Sequence, residues 1–220
     1  MEILEGIKTR MSVRGFKRRP IAKAVMKKIL ETASNSPSYT NTQPWEVAVV
    51  SGEKRDELAR KLLKLAKTQA PMSPDMPLAK AWPQALEERS RTHGARRLAT
   101  LGIAREDEQG RENLRLMNFE FYGAPCVVFL SIDGSLGAWS IFDMGLFTQN
   151  FILAAHSFGV ESCLQASVTN YATEIKRFLK IDKGKKLVLG ISLGYPDEKA
   201  RLNAYRSLKL KPDEFTGWYE

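Results

Sequence analysis

Two arginines flank a serine near the start of the chain, in the pattern Arg10-x-Ser12-x-Arg14. A guanidinium group can donate to two phosphate oxygens at once, and a hydroxyl group adds a short hydrogen bond. Because alternate residues of an extended segment point to the same side, all three side chains would face one ligand. The pattern therefore predicts a binding site for an anion such as a phosphate.

A second candidate is the loop of residues 36–45, with the sequence SPSYTNTQPW. Its prolines restrict the backbone, and its hydroxyl and amide groups supply hydrogen bonds of short reach. Such a loop suits a flat, polar ligand, but the same composition also suits a simple turn between a helix and a strand. The residues alone leave both interpretations open.

Several common catalytic patterns are absent from the sequence. It contains no G-x-G-x-x-G, no G-x-x-x-x-G-K-[ST] and no G-x-S-x-G, which argues against a Rossmann site, a P-loop and a serine hydrolase. The two histidines, His93 and His156, and the two cysteines lack metal-ligand spacing, so no metal site is predicted. Cys126 and Cys163 lie in apolar surroundings, which favours free thiols and a reducing cytoplasm.

Positive charge is concentrated at the two ends of the chain, whose net charge is +9. Residues 1–30 carry nine Lys or Arg against two Glu, and residues 175–212 carry eleven against three acids. Two basic ends can converge on one phosphate, form a surface for nucleic acid, or simply be solvated helix faces.

No apolar run approaches the roughly 20 residues that cross a bilayer, so no membrane association is expected.

Hydrophobic periodicity predicts the elements that must position these residues. Helical spacing occurs at about 3–9, 21–34, 58–66, 85–104, 112–122, 139–157 and 171–179, the last with Asn170 as its cap. Apolar runs predict strands at about 45–50, 126–132, 160–164 and 187–193. This order predicts one α+β domain over residues 1–220, with a mixed sheet of four to five strands between helices on both faces. Residues 68–97 are rich in proline and methionine and include Trp82, which predicts a lid or pocket wall.

Together the two candidate motifs resemble the opening of the FMN-dependent nitroreductase family. The chain also resembles the later half of this family, at residues 159–166, at residues 175–181 and in the run LGISLGYP at 189–196. Residues 118–119, 123–125 and 143–145 are most similar to the branch of nitrobenzoate and nitrophenol reductases. The resemblance covers nearly the whole chain and is weakest over residues 68–115. It implies a three-layer α/β/α fold with a variable pocket segment there.

The resemblance also implies residue roles. Arg10, Ser12 and Arg14 would hold the phosphate and ribityl end of FMN, with Arg206 or Lys209 completing the phosphate site. The flavin ring would be reached by Pro37, Ser38, Tyr39 and Asn41 from the other subunit of a homodimer, and near N5 by Leu164, Gln165 and Ala166. No protein residue is assigned a catalytic role, because the flavin carries the hydride.

The implied activity is a ping-pong reaction. NADH or NADPH would reduce the flavin, and a nitroaromatic, a quinone or a similar flat acceptor would then take two electrons. Two alternatives remain open: another flavin chemistry on the same fold, such as reductive dehalogenation, enone reduction or flavin destruction, and a basic nucleic-acid-binding protein. Neither the acceptor nor the choice between NADH and NADPH follows from the sequence.

Overall fold

A four-stranded sheet forms the middle layer of the computed structural model, which describes residues 2–77 and 79–220. Its strands are β1 (Glu46–Ser51), β2 (Cys126–Asp133), β3 (Glu161–Gln165) and β4 (Lys185–Gly194), in the order β1-β2-β4-β3. All three strand pairs are antiparallel. β2 is buried except at Asp133, because it lies inside the sheet and helices cover both of its faces.

Helices pack on both faces of this sheet. The helices of the described residues are α1 (Ile3–Thr9), α2 (Lys23–Ala33), α3 (Gly52–Lys67), α4 (Gln84–Leu101), α5 (Glu108–Leu116), α6 (Ala138–Ser157) and α7 (Ala172–Leu179), and α2, α3, α6 and α7 form the two cores. The core on one face is built from α2 and α6, with Ile29 against Phe147 and Phe151. The core on the other face is built from α3 and α7, around Leu62 and Ile175. The predicted three-layer α/β/α architecture is confirmed.

The N-terminal segment extends the sheet at its β3 edge. The backbone N–H of Val13 donates to the carbonyl of Ser162 at 2.9 Å, and Ser12 pairs with Ser162 in a parallel bridge. Within the described residues this is the only parallel pairing, so the sheet is mixed at this edge alone. The pairing keeps residues 10–14 extended, as the alternate-spacing interpretation requires.

One expectation about local structure is wrong, and another includes a residue outside the described ones. Asn170 does not cap α7: it lies inside the 3₁₀ turn Ser167–Tyr171, and α7 begins without a side-chain cap. Its carbonyl instead accepts from the N–H of Ser73 at 2.7 Å. The predicted variable segment 68–115 contains α4 and α5, and it includes residue 78, which lies outside the described residues.

No helix of the described chain is both long enough and apolar enough to span a bilayer.

Candidate functional site

A cavity of about 480 Å³ lies between the two ends of the chain. Arg10, Ser12 and Arg14 line one wall, and the C-terminal segment contributes Arg206 and Lys209 to another. The two basic ends that the sequence separates by almost 200 residues therefore meet at one concave site.

The alternation of residues 10–14 follows from the pairing with β3. Val13 is buried in the protein, at 3% exposure, whereas its neighbours Ser12 and Arg14 line the cavity. Arg10, one alternate position earlier, lines the same cavity. Met11 also lines the cavity, so the alternation is not strict, but the segment presents two guanidinium groups and a hydroxyl group to one space.

Asn203 fixes the backbone of this segment, and sequence reasoning missed it. Its Oδ1 accepts from the N–H groups of Arg14 at 2.7 Å and Gly15 at 3.0 Å. Its Nδ2 donates to the carbonyls of Gly15 at 2.9 Å and Asp197 at 3.0 Å. A Cβ atom on Gly15 would lie 2.2 Å from that of Ala200, so only glycine allows this close approach. No local signal marks Asn203, because Arg14 and Gly15, the residues that it positions, are 189 and 188 residues away.

The cavity is strongly electropositive. Five of the residues that line it are cations, namely Lys8, Arg10, Arg14, Arg206 and Lys209. Among the described residues, no carboxylate lines it. Nη1 of Arg14 donates to the carbonyl of Ser12 at 3.2 Å, but its Nε is buried without a hydrogen-bond partner in the described structure. A buried N–H of a charged group is costly unless an acceptor reaches it. A dianionic phosphate supplies such acceptors, so the donor set fits the phosphate end of a nucleotide-like cofactor.

Helix α4 contributes a third wall through His93. Nδ1 of His93 lies 3.0 Å from the hydroxyl of Tyr205, and both residues line the cavity. Burial, followed by the charges of Arg14, Arg97 and Lys209, lowers the pKa of His93 below its usual value. Burial first, and then the positive field that also favours an anion, bias the imidazole towards its neutral form.

The loop of residues 36–45 lies elsewhere in the chain, against α6. The N–H of Tyr39 donates to Oδ1 of Asp143 at 3.1 Å, and Nδ2 of Asn150 donates to Oγ of Ser36 at 2.8 Å. The ring of Tyr39 stacks on that of Trp139, with centroids 6.2 Å apart. Three of its residues adopt positive φ angles of 48°, 59° and 47°, namely Thr40, Asn41 and Gln43. Such angles are held in place by the surrounding contacts, so the loop has a defined conformation. The roles assigned to Pro37, Ser38, Tyr39 and Asn41 stay predictions.

Within one chain this loop and the basic cavity are at opposite ends of α6. Asp143 holds the loop near the start of α6, whereas Nε2 of His156, near its end, lies 2.9 Å from Oγ1 of Thr9. Thirteen residues of α-helix separate these two anchors by roughly 20 Å. The structure therefore does not bring Pro37, Ser38, Tyr39 and Asn41 into the cavity that Arg10, Ser12 and Arg14 line.

The third predicted group, at the end of β3, is divided between surface and core. Leu164 is 40% exposed and Ala166 is also exposed, whereas Gln165 is buried. Nε2 of Gln165 donates to the carbonyl of Asn118 at 2.9 Å, and its Oε1 accepts from the hydroxyl of Ser192. The side chain of Gln165 is therefore committed to the fold and is not available to a ligand. The roles assigned to these three residues stay predictions.

The described residues do not form a cluster of side chains suited to a metal ion. No group of three or more His, Cys, Asp or Glu side chains suited to holding a metal ion occurs in residues 2–77 and 79–220. Both cysteines are free and buried, and burial raises the pKa of the Cys126 thiol to about 12. A thiol with so high a pKa is a poor nucleophile.

Comparison with known proteins assigns the chain to a family. Residues 7–195 match the sequence model of the Nitroreductase family. The chain belongs to the nitroreductase family. This nitroreductase is 34% identical to a 4-nitrobenzoate reductase of Pseudomonas putida over 96% of its own length and 92% of that protein. It is 37% identical to nitroreductase NfnB of Mycolicibacterium smegmatis, over 91% of this chain and 85% of that one.

Solved structures show the same fold. The FMN-dependent nitroreductase NfnB from Mycobacterium smegmatis, solved in complex with NADPH, superposes with a TM-score of 0.94. It is 34% identical in sequence, with 99% of this nitroreductase and 97% of that chain covered. The FMN and NADPH-dependent NfnB from Sphigopyxis sp. strain HMH gives a TM-score of 0.95 at 28% identity, with both chains fully covered.

Proposed function

We propose that this protein is an FMN-dependent NAD(P)H oxidoreductase that reduces nitroaromatics, quinones or similar flat, electron-poor acceptors. The observation that carries the proposal is the cavity in which Arg10, Ser12 and Arg14 meet Arg206 and Lys209 without a lining carboxylate. The relatives support the cofactor and the acceptor class, since similar chains are named 4-nitrobenzoate reductase and FMN-dependent nitroreductase. The concave site also favours a small anionic ligand over nucleic acid, which is bound on extended basic surfaces.

Each residue of the cavity has a defined task in this proposal. The guanidinium groups of Arg10 and Arg14 and the hydroxyl of Ser12 donate to phosphate oxygens, and Arg206 and Lys209 balance the remaining charge. When bound, FMN supplies two-electron transfer between a nicotinamide donor and the acceptor. The protein's contribution is to fix the position of the cofactor and to place cations where negative charge develops.

A second copy of the chain completes the site in our proposal. Tyr39 is held roughly 20 Å along α6 from the contact of Thr9 with His156. None of Pro37, Ser38, Tyr39 and Asn41 lines the arginine cavity of its own chain. The outer face of α6 and this loop expose aromatic side chains, with Tyr39 at 62%, Trp139 at 67% and Phe142 at 60%. A contiguous exposed aromatic patch is typical of a protein interface. A homodimer formed through this face brings the loop of one subunit to the cavity of the other.

Other flavin chemistry on this fold differs only in the acceptor. The acceptor would be selected by the walls over the flavin, to which Leu164 and Ala166 contribute in the proposal. The homologues named for nitro compounds favour nitroreduction over dehalogenation or enone reduction. The two free, buried cysteines are consistent with a cytoplasmic location, which we include in the proposal.

The direct test is spectroscopic. The purified protein, or the apoprotein after incubation with FMN and gel filtration, is expected to be yellow with flavin absorbance. Under anaerobic conditions that absorbance should bleach on addition of NADH or NADPH and return when a nitroaromatic acceptor is added. A preparation that takes up no FMN would contradict the proposal, and bleaching without reoxidation by nitroaromatics or quinones would redirect it to another acceptor.

The phosphate site is tested by removing two of its three guanidinium groups. Arg10→Ala combined with Arg14→Ala should weaken FMN binding by well over tenfold, because each charge-assisted hydrogen bond contributes about 1.5–3 kcal/mol. Fluorescence titration of the apoprotein measures the affinity, with riboflavin as the ligand that lacks the phosphate. Lys27→Ala combined with Lys28→Ala removes the same charge from the exposed side of α2 and serves as the control. Equal FMN affinity in the two double variants would place the phosphate elsewhere.

A further inference from the structure

The turn that precedes β2 holds two aromatic residues in an unusual backbone conformation. Phe121 and Tyr122 have φ angles of 57° and 52°, and Gly123 follows with 72°. Positive φ angles are sterically unfavourable for bulky side chains, which adopt them only where the surrounding structure fixes them. Tyr122 is only 7% exposed, so its ring is held at one place in the protein. The flavin chemistry proposed above assigns this ring no task.

The ring of Tyr122 lies beside the cationic cavity. Cζ of Arg14 lies over this ring, 5.9 Å from its centroid, within the roughly 6 Å at which a guanidinium group is attracted to an aromatic face. Arg14 lines the cavity, whereas Tyr122 does not. Nη1 of Arg14 donates to the carbonyl of Ser12 at 3.2 Å, and its Nε has no hydrogen-bond partner in the described residues. The ring thus supports the guanidinium group from outside the N-terminal segment.

Tyr122 is in turn held through its hydroxyl group. That hydroxyl donates to Oδ1 of Asn118 at 2.8 Å, and the same oxygen accepts from the hydroxyl of Ser167 at 3.1 Å. The carbonyl of Asn118 accepts from Nε2 of Gln165, the last residue of β3, at 2.9 Å. Asn118 therefore connects the ring beside Arg14 to the end of β3.

We propose that Tyr122 is a positioning residue for the anion site, whose ring holds the guanidinium group of Arg14 in the cavity. The inference rests on the proposed function for the identity of the anion, the phosphate of FMN, and on the contact between Tyr122 and Arg14 for its place. A buried ring beside a long side chain limits the positions that the side chain can adopt. Less conformational entropy is then lost when a phosphate binds. Tyr122 acts through Arg14 and does not itself line the cavity.

The experiment is a double-mutant cycle between Tyr122 and Arg14. Tyr122→Phe keeps the ring and removes only the hydroxyl group, whereas Tyr122→Leu removes the aromatic face. FMN and riboflavin binding to each apoprotein is measured by flavin fluorescence, and inorganic phosphate binding by calorimetry. We expect Tyr122→Leu to lose about fivefold in affinity for FMN and for phosphate, and Tyr122→Phe to lose less than twofold. Riboflavin affinity should change by less than twofold in both variants. In the Arg14→Ala background Tyr122→Leu should cause no further loss, because the group that the ring positions is gone.

Tyr195 provides the matched control. The guanidinium group of Arg19 lies over its ring, 4.2 Å from the centroid, and neither residue lines the cavity. Tyr195→Leu therefore removes an equivalent contact elsewhere and should change each affinity by less than twofold. If Tyr122→Leu does not fold, Tyr122→Met takes its place in the cycle, because the flexible side chain of methionine fills irregular space without an aromatic face.

The outcomes separate the inference from the function. The positioning role would be overturned, with the FMN function intact, if Tyr122→Leu caused no loss, or a loss as large for riboflavin as for FMN. A loss that persists in full without the Arg14 side chain, or that Tyr195→Leu equals, would overturn it too. If the wild-type protein binds phosphate but no FMN, the function fails and the phosphate titrations alone decide the role of Tyr122. Binding of neither ligand by the wild type overturns both.

Discussion

At the scale of single residues, the position of the candidate anion site depends on an asparagine outside it. Asn203 uses both lone pairs of its Oδ1 and both N–H groups of its Nδ2 to hold Arg14, Gly15 and Asp197. None of these bonds involves the arginine side chains that line the cavity. Asn203 therefore acts as a positioning residue, which fixes the backbone from which Arg14 projects.

We expect Asn203→Ala to lower both stability and FMN affinity. Loss of its four hydrogen bonds should cost about 2–6 kcal/mol of unfolding free energy, at roughly 0.5–1.5 kcal/mol for each bond. Urea denaturation measures the stability, and comparison of FMN with riboflavin measures the position of the phosphate ligands. Asn203→Asp keeps an oxygen that accepts from the N–H groups of Arg14 and Gly15. It replaces the amide donor with a second carboxylate oxygen, which cannot donate to the carbonyls of Gly15 and Asp197, so an intermediate stability is expected. Wild-type selectivity for FMN over riboflavin in Asn203→Ala would limit this residue to a structural role.

At the scale of secondary-structure elements, the segment after α3 is anchored by one ion pair. Nζ of Lys176, on α7, lies 2.8 Å from Oδ2 of Asp75 and donates to the carbonyl of Lys185 at 3.0 Å. The same Asp75 oxygen accepts from the N–H of Leu187, on β4, at 2.8 Å. Residues 70–77, which the sequence suggested as part of a lid, are thereby fixed to the sheet. Trp82, further along, is 54% exposed.

Lys176→Met is therefore expected to destabilise the protein and free this segment. The cost should be about 2–3 kcal/mol, below the roughly 3–5 kcal/mol of a fully buried pair, because the two side chains are 10% and 18% exposed. Lys183→Met removes a nearby exposed charge and is the control. Urea denaturation gives the free energies, and limited proteolysis should cut between residues 70 and 83 faster in Lys176→Met alone. Equal protease sensitivity in the two variants would show that the ion pair does not anchor the segment.

At the scale of the whole molecule, polar and apolar surfaces are separated along α6. Its C-terminal end adjoins the cationic cavity, through the contact of Thr9 with His156. Its N-terminal end carries the aromatic patch of Tyr39, Trp139 and Phe142. The C-terminal tail exposes further aromatic side chains, with Trp218 at 77% and Tyr219 at 97%. Surfaces of this kind are more consistent with an assembly than with an isolated chain.

The combined change Trp139→Glu and Phe142→Glu should convert the proposed dimer to a monomer. Placing two charges in an apolar interface opposes association, because each would be buried without a partner. Sedimentation velocity measures the mass, and we expect FMN affinity to fall at least tenfold in the monomer, which lacks the loop of a second subunit. Val49→Glu changes an exposed apolar residue on β1, at the far edge of the sheet, and is the control. A monomer with unchanged FMN affinity would refute the role of Ser38 and Asn41 across the interface.

Features that depend on residues close together in the sequence were predicted well. Features that depend on contacts between distant residues were not. Helical spacing located α1, α2 and α6 closely, because their apolar stripes are local in sequence. The assignment of Asn170 as a cap failed because the chain forms the 3₁₀ turn Ser167–Tyr171 before α7, which places Tyr171 at the N-cap position. Asn203 was not found, since it acts on Arg14 and Gly15, which are 189 and 188 positions away.

By itself the sequence determined the layered α+β fold, the extended arginine pair and the resemblance to the nitroreductase family, because periodicity and short motifs are encoded locally. The tertiary structure decided that both basic ends of the chain meet at one cavity and that the polar loop of residues 36–45 lies at the other end of α6. It also identified the buried Nε of Arg14, which has no hydrogen-bond partner in the described residues. A buried donor is recognised as unsatisfied only when every surrounding element is in place, and no window of sequence contains that information.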